Sequence, residues 1–396
     1  MRISTLTFQT NAIDQMDQLE AALSKTQGQL ASGKRIQEAA DDPAGMAQVN
    51  QLNAELSASR QYVTNQNAAS ANLQLEGQAL SDATNLLQSA RDLAVEANNA
   101  SLSASQRQDI ATQLQQQLQQ LVAIGNRTDA NGDYLFSGYA SQTQAFTLSG
   151  NAVSYTGSDG VSQLQISANQ RISGSDAGDA VFMSIPAGNG TFTTAAAAAN
   201  TGSGSIDGGS VVDPSQWTPD TYTIAFTSPT QYQVTNSGGG VVASGTYTSG
   251  DAIQFQGIEV TVSGTPSTGD AFTVAPAGKA SAFATLSGLI KTLSSPALSS
   301  AQITTQLGNG LAQIDGAIVQ LGNVSASVGA RLNAVTAAQS TEQSTQTQLQ
   351  SSVSQLSDVD YAAAVTQLNS QEVALQAAQQ SYASLARLSL FNYIQG

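Results

Sequence analysis

The sequence predicts an α+β fold: a long antiparallel helical bundle formed by both chain ends, with a central β-rich inserted domain. Three observations predict it. Near both ends, apolar residues recur at alternating three- and four-residue spacing, the period of a helical seam. Between roughly Ala140 and Gly278 that period gives way to short alternating runs separated by Gly, Asn, Ser and Pro, the texture of strands and turns. After Ala280 the helical period resumes, so the chain goes out and comes back.

In the first arm Met16, Leu19, Leu23 and Leu30 form a narrow stripe, with Thr26 filling the gap. From Pro43 a second stretch carries Leu52, Leu56, Val63, Leu73, Leu80 and Leu87, diluted by Ser59, Gln66 and Ser70. It is far longer than an ordinary globular helix and reads as a bundle helix. The run from Ala97 to Ser105 breaks the period. Ile110, Leu114, Leu121 and Ile124, with Gln117 on the seam, then predict a helix that returns antiparallel across a short loop. The pattern stops at Gly125, where the turn-forming NRTDANGDY follows.

In the middle, Tyr222–Phe226 and Ile258–Val262 alternate as half-buried strands do. The stretch Gly188 to Ser210, with its Ala run and GSGSIDGGS, either divides this segment into two lobes or forms a loop. Past an interruption at Pro296, Leu307, Leu311, Ile314, Ile318, Leu321, Val328, Leu332 and Val335 restore the helical period. The last arm holds Tyr361, Ala364, Leu368, Leu375, Ala378, Tyr382 and Leu385, with Gln371 as its polar seam position. The expected domains are terminal coiled-coil arms at 1–40 and 352–396, inner and disordered in the free monomer, a helical bundle at 41–139 and 280–351, and an outer β-rich domain at 140–279.

Composition narrows the function. Only 10% of the 396 residues are charged, and the formal net charge is −15, so nucleic acid and anionic membrane surfaces are repelled as partners. With no His and no Cys, disulfides, thiol chemistry and the usual transition-metal ligands are absent, and neither a cofactor nor a metal is expected. No basic start followed by an apolar run marks a cleaved leader. No window approaches the roughly 18 consecutive apolar residues of a membrane span. The expectation is a soluble chain whose export, if any, cleaves no signal peptide.

Catalysis without His or Cys would fall to carboxylates, Lys, Ser, Thr or Tyr, and no activated pairing of these is visible. The adjacent pair Asp41-Asp42 precedes Pro43, which suits an Asp42 N-cap with proline at the first helical position. Asp129, Asn131 and Asp133 have the spacing of the first calcium ligands of an EF-hand. The motif then needs glycine where Tyr134 stands and a bidentate carboxylate where Ala140 stands, so a turn is the better reading. Lys34 and Arg35 form a small basic spot, either a solvated turn near a helix end or a contact with an acidic neighbour. Isolated exposed charges contribute little, which favours the turn.

The segment LASGKRIQEAADDPAGMA, Leu30 to Ala47, resembles the N-terminal signature of the flagellin family, with Ser32, Gly33, Arg35, Ile36, Asp41, Asp42, Ala44 and Gly45 on matching positions. The C-terminal SDVDYAAAVTQLNSQEVALQAAQQSYASLARLSLFNYI is similar to the family's last helix. NGDYLFSGYASQTQAF and the terminal LFNYI look like the hook-filament junction type within that family, and GTYTSGDAIQFQGIEVTVSGTPSTGDAFTV resembles an outer domain of hook-associated proteins.

The resemblance implies a non-enzymatic structural subunit of the bacterial flagellum. Identical copies would form a ring between an adjacent hook-associated protein and flagellin, with Met16, Leu19, Leu23, Leu30, Leu368, Leu375, Ala378, Tyr382 and Leu385 as the assembly seam. It further implies an extracellular location at the hook-filament junction, type III export and a chaperone on the C-terminal arm. The competing readings are a flagellin filament subunit and, in a different class, a secreted adhesin acting through the outer domain. A secreted enzyme would need a pocket holding a perturbed carboxylate.

Overall fold

In a computed structural model of the chain, residues 2–99 and 101–394 are described, with the side chains of residues 2–6, 8 and 385–394 outside that description. The chain divides into two compact units, residues 1–64 with 339–396, and residues 65–338.

The first unit is helical. Helices α1 (Arg2–Ser32) and α6 (Tyr361–Ile394) pack against each other, and the start of α2 (Pro43–Ala97) and the end of α5 (Ser300–Ser357) complete the unit. Where α2 and α5 meet, the seam is mixed: Val49 and Leu56 are buried, and so are Ser59 and Glu342, whose Oγ and Oε2 lie 2.6 Å apart in a hydrogen bond. That bond satisfies two polar groups that would otherwise be costly at an apolar seam.

The second unit is built on one helical core. Along α2 one row of buried positions runs Gln66, Ala69, Leu73, Glu76, Leu80, Ala83, Leu87, Ala90 and Ala94, an alternation of threes and fours, with Ala79, Leu86 and Ala97 buried beside it. Helix α3 (Ala104–Gly125) starts with a reciprocal capping box: Gln106 N donates to Ser103 Oγ at 3.3 Å and Ser103 N donates to Gln106 Oε1 at 2.9 Å. It runs antiparallel to α2, since Gln117 bonds Ser89 and, further along, Arg127 pairs with Asp82. Leu118, fully buried beside the half-buried Gln117, carries the seam there.

Two hairpins follow, β1 (Phe146–Ser149) with β2 (Ala152–Tyr155) and β3 (Gln163–Ser167) with β4 (Gln170–Ser173), then a π-helical turn at Asp179–Met183. These residues correct the expected boundary at 140. Phe146 and Phe182 stack with Phe283 of helix α4 (Ala282–Ser294) at 4.8 and 5.7 Å between ring centroids, so the segment to about 186 belongs to the helical core. Gly125 is needed here, because a Cβ would stand 2.7 Å from the Phe146 ring.

The remaining strands form an antiparallel sandwich. β5 (Ile185–Pro186) and β15 (Lys279–Ala280) pair as its neck. Between them lie β6 (Phe192–Ala196), β7 (Ser205–Ile206), β8 (Ser210–Val211), β9 (Tyr222–Ser228), β10 (Gln231–Thr235), β11 (Val241–Thr246), β12 (Ala252–Phe255), β13 (Ile258–Ser263) and β14 (Ala271–Pro276). One sheet has the order β11-β10-β9-β14-β6, and the other β12-β13-β7, with β8 also on β13. Strict alternation in β9 and β13 turns Tyr222, Ile224, Phe226, Ile258, Val260 and Val262 into one shared core. The stretch 188–210 therefore does not split the β segment into lobes: it supplies β6, β7 and β8 to this single core. Its polar runs are loops, held by Asp270, whose Oδ1 accepts from Thr201 N at 2.8 Å and whose Oδ2 accepts from Gly202 N at 3.0 Å.

Candidate functional site

The signature residues Ser32 to Gly45 fold into one compact turn at the end of α1. Gly33 ends the helix at φ +70°, a conformation that disfavours side chains, and a Cβ there would stand 3.0 Å from Tyr361 Oη. The chain then pairs with the far end of the sequence. Lys34 bridges Asp358 in antiparallel fashion, Arg35 N donates to Ser357 O at 2.6 Å, and Val359 N donates to Gly33 O at 3.0 Å.

Side chains close the clasp. Lys34 Nζ reaches Asp358 Oδ1 at 2.5 Å and Ser357 Oγ at 3.2 Å, and Ser354 Oγ also donates to Asp358. Arg35 Nη2 donates to Leu356 O at 2.7 Å and pairs more loosely with Asp42 at 3.5 Å. The basic spot that the sequence favours as a solvated turn is thus an intramolecular contact with an acidic partner. Lys34 together with Ser354 holds the Asp358 carboxyl below the usual carboxylate range.

The two adjacent aspartates have separate tasks. Asp41 Oδ1 pairs with Lys25 Nζ at 2.7 Å, while Oδ2 accepts from Gln37 N at 2.9 Å and Glu38 N at 3.2 Å. The Lys25 hydrogen bond, then those two amides, pull its pKa down to about 2. Asp42 Oδ1 accepts from Gly45 N at 2.8 Å, an N-cap to α2 with Pro43 as the first helical residue. Ile36 is buried beneath the turn, and a Cβ on Gly45 would run into Ile36 Cδ1 and Asp42 Oδ2. Ser32 Oγ accepts from Lys34 N and from Gln37 Nε2. On the opposite strand Asp360 caps α6 through Ala362 N at 3.0 Å and Ala363 N at 3.1 Å.

Below the clasp run the arms. On α1, Met16, Leu19, Leu23 and Leu30 are half-buried and Thr26 is buried, its hydroxyl donating to Ala22 O. On α6, Ala364 is buried, and Leu368, Gln371, Leu375, Ala378 and Tyr382 are half-buried between exposed neighbours. The Leu385 side chain lies outside the described residues. Tyr361 is exposed. Off the seam, Ile13 is 43% exposed, Val365 46% and Val373 66%. Pairing within one chain therefore covers only part of the apolar surface of these two helices.

Sequence reasoning misses Lys25, Ser357, Asp358, Asp360 and the role of Tyr361. The SDVD run before the last helix carries a capping signal for Asp360, but nothing local marks Asp358 as the partner of Lys34. Asp129, Asn131 and Asp133 form a turn in which Asp129 Oδ1 accepts from the amides of Asn131 and Asp133. Among the described residues no cluster of three or more acidic residues is arranged to hold a metal ion. No described helix is long and apolar enough to cross a membrane.

Paired terminal helices clasped at one end to the chain's opposite strand, a separate unit built on a long helical core, and a β sandwich inserted at mid-chain define a flagellin-type architecture. Family models agree with it in segments. Residues 3–141 match the bacterial flagellin N-terminal helical region, 311–394 the bacterial flagellin C-terminal helical region, and 195–276 the D2-like domain of flagellar hook-associated protein 1. Among solved structures, flagellar hook-associated protein 3 from Legionella pneumophila is 31% identical with a TM-score of 0.73, covering 78% of this chain and 98% of that one. FlgL from Xanthomonas campestris is 29% identical with a TM-score of 0.72, covering 76% and 99%. Flagellar hook-associated protein 3 of Escherichia coli is 31% identical over 47% of this chain, and the match spans 58% of that curated relative's length. The chain belongs to the flagellin-like family of flagellar hook-associated protein 3, the junction proteins.

Proposed function

We propose that this chain is a structural adaptor subunit of the bacterial flagellum that joins hook to filament without any catalytic step. Copies form a ring between a hook-associated neighbour and the first flagellins, and their terminal arms fold fully only when packed on one another. The observation that carries this reading is the state of α1 and α6, a matched pair whose seam is half-buried and whose flanks expose Ile13, Val365 and Val373. Apolar surface of that kind on paired helices is what neighbouring helices of a tube would bury. Family membership supports an extracellular site at the junction, reached by the flagellar type III export route, with a chaperone on the C-terminal arm before assembly.

The test is position. Fluorescently labelled protein in flagellated cells should appear as one band at the filament base. Label along the whole filament would make the chain a filament subunit. Label elsewhere on the cell surface would favour an adhesin.

A further inference from the structure

The α2 seam holds one residue that a helical seam does not ordinarily tolerate. Glu76 has no exposed surface, and it sits between Leu73 and Leu80 in the apolar row. Its Oε1 accepts from Asp176 N at 3.1 Å, and its Oε2 has no donor facing it. The groups acting on it come from two other elements. Asp176, in the segment after β4, brings its negative charge as well as its amide to Glu76, and Arg331, on α5, pairs with Asp176 and donates to Ser173 O at 3.3 Å.

Two carboxyl groups thus face one guanidinium, whose Nε has no acceptor. A buried carboxyl whose second oxygen meets no donor is held at lower cost as the neutral acid than as the anion. Burial, and then the neighbouring Asp176 charge, push the Glu76 pKa up from 4.5 to about 8, against the opposing pull of Arg331.

We propose that Glu76 is a proton-operated pin: as a neutral acid, buried in the seam and accepting from Asp176 N, it fastens residues 173–183 to the helical core, and loss of its proton, which buries a charge beside Asp176, loosens that segment. The location gives the pin a purpose. Residues 173–183 contribute Val181 and Phe182 to the helical core and lead directly into β5, one strand of the neck that carries the sandwich. Other ties, such as Gln320 Nε2 to Ala180 O at 3.2 Å, hold the later part of the segment without titrating. The proton therefore governs the anchoring of the neck and the edge of the helical core that Val181 and Phe182 complete, and leaves the sandwich core alone.

The sign follows from the raised value. The docked form binds the proton more tightly than the undocked form, so the grip is complete below the ordinary Glu value of 4.5 and weakens up to about 8, above which it levels off. In that window the opening constant rises by at most about tenfold per pH unit.

Hydrogen exchange of the full chain across this range tests the idea, with protection of peptides spanning 173–183 divided by the intrinsic exchange rate. The expected result is protection that falls with pH in the wild type, while peptides of the sandwich core keep theirs. Glu76→Gln, which can accept without titrating, should abolish the pH dependence and keep the segment docked. Difference infrared spectroscopy should show a protonated carboxylic acid at neutral pH in the wild type and none in Glu76→Gln. A flat wild-type profile, an unchanged pH dependence in Glu76→Gln, or no protonated acid signal would each overturn the proposal.

Discussion

Lys34 and Asp358 stand 324 positions apart in the chain, yet their side chains meet at 2.5 Å across an antiparallel bridge. The contact closes a clasp at the point where both arms leave the bundle helices. It sets the register of α1 against α6, because Gly33 O and Ser357 O each accept one backbone N–H from the opposite strand.

Asp358→Asn removes the ion pair but leaves the backbone bridge. Both side chains are partly exposed, so the loss should be small, about 0.2–1 kcal/mol. Amide exchange of residues 33–36 and 356–360 should quicken, with that of the sandwich unchanged. Unaltered protection around the clasp would show that Lys34 and Asp358 contribute nothing.

Gly33→Ala should cost more. The position requires positive φ, and the new Cβ would press on Tyr361 Oη at 3.0 Å. A penalty of about 1–2 kcal/mol is expected, seen as faster limited proteolysis of both arms. Gly132→Ala, at φ +87° with open space around it, is the control: it should cost a comparable backbone penalty yet leave arm cleavage unaffected.

Acid should open the signature turn. The folded pKa of Asp41, about 2, lies below its ordinary 3.8, so its stabilisation is present above that ordinary value and is lost as pH falls toward 2. Asp358 is shifted in the same direction and adds to the effect. Proton-exchange or NMR titration should show residues 37–45 loosening in that window. Asp41→Asn should be weakened at neutral pH and keep only the part of the acid step that Asp358 contributes. A wild-type turn that holds through the whole titration would contradict the assignment.

The neck makes the sandwich removable. Ala187 N donates to Gly278 O at 2.9 Å, so the two crossing strands stand side by side and a short Gly/Ser linker can replace residues 188–277. Asn309 and Gln302 lose their contacts with Thr194 and Ala198, but the helical core built on Phe146, Phe182 and Phe283 remains whole. The shortened chain should keep its helical circular dichroism and should still complement a strain lacking the native protein. Normal export followed by shed filaments would mean that the sandwich makes essential contacts.

The helical seams are legible in the sequence because their period is local: Met16 to Leu30 and Leu368 to Tyr382 can be read within a few turns. The strands are legible for the same reason, through alternation as in Tyr222–Phe226. Contacts closed over long separations are not. Phe146 and Phe182 look like strand residues of an outer domain until Phe283, more than a hundred positions away, is seen to stack on both. Nothing near Glu76 in the sequence announces Asp176 and Arg331 as its neighbours. The signature at Ser32 to Gly45 marks where the arms begin, but its physics depends on residues 357–361.

If the α6 seam serves assembly, a substitution on it should act on the tube and spare the single chain. Leu375 sits on that seam between Leu368 and Tyr382 and is only half-buried in the single chain. In a tube its neighbours would cover it fully. Leu375→Asp should then remove about 2–5 kcal/mol of packing per subunit and add the cost of an unpaired buried carboxylate. Measured side by side, the purified variant should unfold thermally within a few degrees of wild type, while in cells the exported variant should fail to join hook to filament. Normal junctions built from Leu375→Asp, or a monomer whose melting temperature collapses, would show that this seam is not an assembly surface.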